Sequence, residues 1–254
     1  MRYLPVAAAV VAVSALVACG GSKRADSGAL ASAGGSAYKA MSLTDGEIAT
    51  MSDQSCTAMD RKNHIAPPGS RYAARLNQVI RRMPASVNGR TANYKVYMTK
   101  DVNAWAMANG CIRVYSGLMD LMNDDELRGV IGHEIGHVAL GHSKSRMQTA
   151  YAASAVRELA GASGGVAARL SQSEAGDLGE KFINAQFSQA NESAADNYSF
   201  DLLTERRLER RGLVSAFDKL ARLDGGGSGS SLLSSHPPSA DRSSRMQSRL
   251  DASR

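Results

Sequence analysis

Residues 123–141 read Asn-Asp-Asp-Glu-Leu-Arg-Gly-Val-Ile-Gly-His-Glu-Ile-Gly-His-Val-Ala-Leu-Gly, the pattern of a capped helix. Asn123 is a favoured N-cap residue, and Glu126 stands three places on, the spacing of a capping box. Asp124 and Asp125 put negative charge in the first turn, where the helix dipole favours it. Leu127, Val130, Ile131, Ile135 and Val138 recur at the helical period, and Gly141 is a natural stop. This helix carries His133-Glu134-x-x-His137. Histidines four apart share a face, and two imidazoles so placed can chelate one Zn²⁺ at about 2.0–2.1 Å each. Glu134 lies about 100° round the helix from His133, near enough to act on a water at such an ion. Gly129, Gly132 and Gly136 each cost about 1 kcal/mol against Ala. They make sense where another backbone, or a bound extended strand, comes close.

A zinc site that does chemistry needs a third protein ligand and an open fourth position. His142, five residues after His137, is one candidate. The pattern that takes a third histidine there wants Gly three and His six after the second His, and Leu140 and Ser143 occupy those places. His142 therefore reads as a helix-end histidine. The other candidate is Asn191-Glu192-Ser193-Ala194-Ala195-Asp196. Glu192 and Asp196 are one helical turn apart on one face. Glu192 can complete a His₂Glu set, and Asp196 can accept the free ring N–H of a ligating histidine and fix its tautomer.

H-E-x-x-H followed by E-x-x-A-D resembles the M48 family of zinc metallopeptidases, within the gluzincin group. Asn109–Arg146, which contains Gly110-Cys111-Ile112-Arg113-Val114-Tyr115-Ser116-Gly117-Leu118, is similar to the periplasmic lipoprotein branch of that family. The likeness runs from about Tyr38 to the C-terminus. It implies an α+β fold: a mainly helical zincin-like metallopeptidase domain with a small antiparallel sheet beside the active-site helix. It implies one Zn²⁺ per chain on His133, His137 and Glu192, with Glu134 as general base. Asp196 matches an aspartate sometimes described as a proton donor; beside a ligating histidine it should stay ionised. Ser235-His236-Pro237 with Arg242 resembles a late His-Pro…Arg element, where His236 and Arg242 would stabilise the oxyanion. One such donor is typically worth about 3 kcal/mol. Asn103-Ala104-Trp105 resembles the edge strand that binds substrate by backbone pairing, although Trp105 reads equally well as a core residue.

The N-terminus reads as an address. Met1-Arg2 precedes an apolar run, Val6–Ala18, too short to span a bilayer core of about 30 Å and fitting the apolar region of a secretory signal. It ends Leu16-Val17-Ala18-Cys19-Gly20, which resembles a bacterial lipobox. Residues 1–18 are then a signal peptide, Cys19 receives lipid, and residues 19–40 form a Gly/Ser/Ala-rich tether. Gly20 rather than Asp after Cys19 points to the outer membrane, facing the periplasm. Cys56 and Cys111 remain as an even pair in an oxidising compartment. A disulfide between them would contribute roughly 4 kcal/mol; two buried free thiols remain the alternative.

Residues 41–254 read as one domain. Arg71–Met83 is an amphipathic helix. Tyr94–Met98, Asn103–Ala108 and Cys111–Tyr115 are strands, the last two joined at Asn109-Gly110, a hairpin turn signal. Ala150–Leu170 is Ala/Gly-rich, but Arg157, Glu158 and Arg169 inside it argue for a helix outside lipid, broken near Gly161–Gly165. Asp224–Ser231 is a loop and Pro237–Leu250 a last helix. The 254 residues are 43% hydrophobic and 21% charged with a net charge of +6, and no basic block concentrates that charge, so nucleic-acid binding is permitted but not implied, and no nucleic acid is expected as a partner.

These readings converge on a zinc endopeptidase whose partners are extended polypeptides, the outer membrane through Cys19, and other envelope proteases or assembly factors. Its substrates would be misfolded or unfolded envelope proteins, whose exposed extended segments suit an edge-strand site. Two rivals use the same residues: a zinc-containing holdase or assembly factor without proteolysis, and a structural lipoprotein with an accidental motif.

Overall fold

The computed structural model describes residues 40–154, 170–225, 231–236 and 240–253. The expected signal peptide, lipidated Cys19 and most of the tether lie outside them. So do most of the expected Ala/Gly-rich helix, the middle of the Asp224–Ser231 loop, and Pro237 and Pro238.

Short polar residues start the helices. Thr44 caps α1 (Asp45–Lys62) and Ser70 caps α2 (Arg71–Ile80). Asn123 caps α4 (Asp124–Ala139) in a full capping box with Glu126, after the short α3 (Ser116–Leu121). Gly141 turns the chain with φ +77° into α5 (His142–Ala152). Ser171 and Ser188 cap α6 (Gln172–Asn184) and α7 (Gln189–Glu205). The chain ends in α8 (Arg211–Gly225), α9 (Ser231–Ser235) and α10 (Ala240–Ala252).

A two-residue hairpin, β1 (Ser86–Val87) and β2 (Arg90–Thr91), precedes β3 (Asn93–Tyr97), β4 (Ala104–Ala106) and β5 (Cys111–Tyr115). The latter three form one sheet in the order β3-β5-β4. The β4–β5 hairpin is antiparallel, as Asn109-Gly110 predicts, with Gly110 at φ +86°. β3 joins it parallel, with Asn93 opposite Cys111 and Tyr97 opposite Tyr115, so the sheet is mixed rather than purely antiparallel. β5 takes the centre because it is buried along nearly its whole length.

The sheet divides two cores. Val96, Ala104, Ala106, Ile112 and Val114 face the larger one, with α2, α4, α7 and α8. Tyr97, Trp105 and Cys111 face the smaller, with α1, α5 and α6. Cys56 on α1 and Cys111 on β5 are joined by a disulfide across that second face. The larger core wraps α4. A Cβ on Gly129 would lie 2.9 Å from Leu213 Cα of α8, and one on Gly136 3.1 Å from the Ala195 carbonyl oxygen of α7. The close backbones that the three glycines call for are thus helices of the chain itself.

Candidate active site

α4, α7 and the end of α9 bring the site together. His133 and His137 point from one face of α4 toward α7, with Nε2 atoms 3.0 Å apart. Glu192, in the first turn of α7, places Oε2 at 3.4 Å from His133 Nε2 and Oε1 at 3.3 Å from His137 Nε2. His236, at the end of α9, brings Nδ1 to 3.0 Å from Glu192 Oε1 and 3.3 Å from His133 Nε2. The ligand atoms of these four residues lie within 4.8 Å of one another. Glu134 Oε1 is 3.4 Å from His236 Nε2, and neither atom has a hydrogen-bond partner. His133, Glu134, His137, Glu192 and His236 are each 4% exposed or less.

Buried carboxylates and imidazoles converging on one point form a donor set for a borderline divalent cation such as zinc. The electrostatics agree. Burial pushes Glu192 upward, but His236 and His133 outweigh it and hold the carboxyl far below its usual range. Burial works against a charge on His133, yet Glu192 and then Asp196 raise it to about 9. Without a metal, a proton on His133 supplies positive charge that a divalent ion would bring, and ion binding would release it. Burial holds His137 well below its ordinary value, in the neutral form that ligates.

The model of peptidase family M48 matches residues 70–250. The chain belongs to peptidase family M48. Its relatives include Metalloprotease LoiP of Escherichia coli (strain K12), 50% identical over 98% of both chains. Metalloprotease YcaL of the same strain is 48% identical over 92% of both. A putative beta-barrel assembly-enhancing protease of Vibrio cholerae is 28% identical over 55% of this chain and 31% of its own length. The protein is a zinc metalloendopeptidase, so the reading of its motif as accidental does not hold.

In this M48 peptidase the remaining expected residues are arranged with two differences. Asp196 Oδ1 lies 2.9 Å from His133 Nδ1, positioned to take its ring N–H. Arg242 reaches the site, but its donors turn to carboxylates. Nε and Nη2 sit 2.9 and 2.6 Å from Asp196, and Nη1 2.8 Å from Glu192 Oε2. Its guanidinium lies 4.2 Å over the Phe217 ring. It braces the two acids. The second difference concerns β4. Tyr115 N–H donates to the Asn103 carbonyl and Met107 N–H to the Cys111 carbonyl. By antiparallel alternation the backbone groups of Asn103 and Trp105 therefore face β5, and those of Ala104 and Ala106 face the free edge. Of the three residues expected to pair with substrate, Ala104 alone points outward, joined by Ala106. The Ala106 carbonyl already accepts from Ser143 Oγ at 2.8 Å. The Trp105 side chain is core, 5.9 Å edge-on to Tyr97.

Two neighbours escaped the motif reading, and a third, His142, takes a part that it did not foresee. His142 Nδ1 lies 3.0 Å from His137 Nδ1, so a helix-end histidine can fix the tautomer that leaves His137 Nε2 free to ligate. Phe187 stacks on His137, and Arg146 lies against Phe187. The available signal was scarcity. The chain has four phenylalanines, and one stands five residues before Glu192.

Proposed function

We propose that the protein is a lipid-anchored endopeptidase of the bacterial cell envelope that hydrolyses peptide bonds in unfolded or misfolded envelope proteins. In this reading His133, His137 and Glu192 hold the zinc. Bound there, zinc supplies Lewis-acid chemistry, polarising the scissile carbonyl and acidifying a water. Glu134 accepts a proton from the attacking water and returns it to the leaving amine. His236, beside Glu134 and Glu192, donates a ring N–H to the oxyanion. Asp196 and Arg242 orient His133 and Glu192. An extended segment pairs with the Ala104 and Ala106 edge, where backbone recognition tolerates many sequences.

The observation that carries the reading is the Glu134 carboxylate, unpartnered at Oε1, beside a buried four-residue donor group. The envelope address rests on Val6–Ala18, Cys19 and Gly20. A relative whose name specifies beta-barrel assembly agrees with it. The test compares the zinc-loaded chain with Glu134→Gln at equal zinc content, on unfolded casein and on an unfolded outer-membrane protein. We expect cleavage of both, and at least a 100-fold loss in the variant. Equal cleavage by both proteins would reject Glu134 as base. Zinc binding without cleavage of either substrate would favour a holdase. Acyl labelling of the wild type that vanishes in Cys19→Ser would support the anchor, and labelling of neither would remove it.

A further inference from the structure

Around the donor group, two of the polar neighbours belong to motifs and one aromatic does not. Phe187 lies in the link between α6 and α7 and is 5% exposed. Its ring stacks on His137 with centroids 3.7 Å apart and planes 15° from parallel. Arg146 Cζ is 4.2 Å from the same centroid. That is too close for an approach to the ring edge, and His137 fills one face, so the guanidinium covers the other. Arg146 is itself fixed. Nη2 donates to the Ile183 carbonyl at 2.7 Å and also to the Ala185 carbonyl, at the C-terminal end of α6. The backbone completes the clamp, since Phe187 N–H donates to the Ser235 carbonyl at 3.2 Å. That bond ties the residue next to His236 to the ring that stacks on His137.

We propose that Phe187, clamped by Arg146, is a positioning residue that fixes the plane of the His137 ring and the seat of His236. The inference rests on the reading of His137 as a zinc ligand. A His side chain aims its Nε2 through two torsions. The His142 contact at Nδ1 restrains the ring at one point only, and a stacked plane removes the remaining rotation. Arg146 serves as the backing plate: it is buried, held by two carbonyls, and attracted to the electron-rich face of Phe187. Partners that orient a metal ligand typically change metal affinity by roughly 10- to 100-fold when lost, and Phe187 should behave as one although it makes no hydrogen bond to the ring.

The test uses the full chain in detergent. Zinc affinity is measured by chelator competition, and the Co²⁺-loaded protein gives a visible spectrum that reports ligand geometry. Thermal unfolding of the zinc-free protein checks the fold. Phe187→Leu keeps apolar bulk and loses the plane; Phe187→Tyr keeps both. The expected result is a roughly 10-fold or larger loss of zinc affinity and an altered Co²⁺ spectrum in Phe187→Leu and Arg146→Met. Phe187→Tyr should stay within about threefold of wild type. Wild-type affinity and spectrum in Phe187→Leu would overturn the proposal. So would equal losses in Phe187→Leu and Phe187→Tyr, because the loss would then not follow the ring plane that Tyr retains. Should Phe187→Leu fail to fold, Arg146→Met against Arg146→Lys reads the same clamp, and unchanged affinity in both overturns it. His137→Ala separates the two levels: if it binds zinc as wild type does, the ligand reading itself has failed.

Discussion

Asp196 is fully buried and carries four attachments: His133 on one oxygen, Arg242 on both, and Arg245 at 3.5 Å on the second. Burial alone would raise its carboxyl, but His133 and then Arg242 outweigh burial and hold it below the usual range. It is therefore ionised, which suits acceptance of a ring proton better than donation of one. Asp196→Asn keeps the shape and loses the charge. It turns an amide toward Arg242, leaving a buried cation that has lost its closest carboxylate and keeps Glu192 opposite. We expect a roughly 10- to 100-fold weaker hold on zinc and a loss of about 3 kcal/mol in stability. Chelator competition and urea unfolding measure the two separately. A variant unchanged in both would show that Asp196 neither orients His133 nor balances Arg242.

The glycines of α4 set how closely its neighbours approach. Gly129→Ala improves helix propensity by about 1 kcal/mol. The new Cβ, however, would sit 2.9 Å from Leu213 Cα and 3.1 Å from its backbone nitrogen. Backbone within α8 cannot yield as a side chain can, and overpacking costs about 1–3 kcal/mol, so the steric cost wins and the variant is destabilised. Gly46 in α1 gives the opposite sign. Its Cβ would meet only Thr44 Oγ1 at 4.0 Å, so Gly46→Ala should gain about 0.4–1 kcal/mol by restricting the unfolded chain. Urea midpoints of the two variants moving in the same direction would refute this account of α4 packing.

Across the whole molecule, the smaller core is stitched to the sheet by a polar knot. The buried Arg113 guanidinium places Nε 2.8 Å and Nη2 2.9 Å from the two Asp60 oxygens. Lys95 and Tyr97 contact the same carboxylate at 2.7 and 2.8 Å. Burial raises the Asp60 carboxyl, but Arg113, then Lys95 and Tyr97 outweigh it and lower it from 3.8. A group whose folded value is depressed stabilises the fold at pH above its unfolded value. That contribution is lost as pH falls through the folded one. Wild type should therefore exceed Asp60→Asn in unfolding free energy at neutral pH, and the gap should narrow below about pH 4. Urea unfolding across that range checks it; a gap independent of pH would mean that the carboxylate charge is not what binds α1 to the sheet.

The sequence alone determined what is local. Capping residues and apolar period placed α4 because both act within a few residues. Spacings of four put His133 with His137 and Glu192 with Asp196 on shared faces, since a helix turns once in that distance. The Asn109-Gly110 turn foretold the β4–β5 hairpin. The late His236 and Arg242 were legible through family resemblance alone. What the tertiary structure decided is where donors turn once neighbours compete for them. Arg242 faces two carboxylates, because Asp196 and Glu192 are buried within its reach and need compensation. β3 enters the sheet parallel, a pairing between distant segments that periodicity does not encode. Trp105 became core because register sets its side chain on the Tyr97 face, leaving the alanines on either side to present the edge. The Arg146–Phe187–His137 stack spans three separate elements, and only packing brings them to one axis.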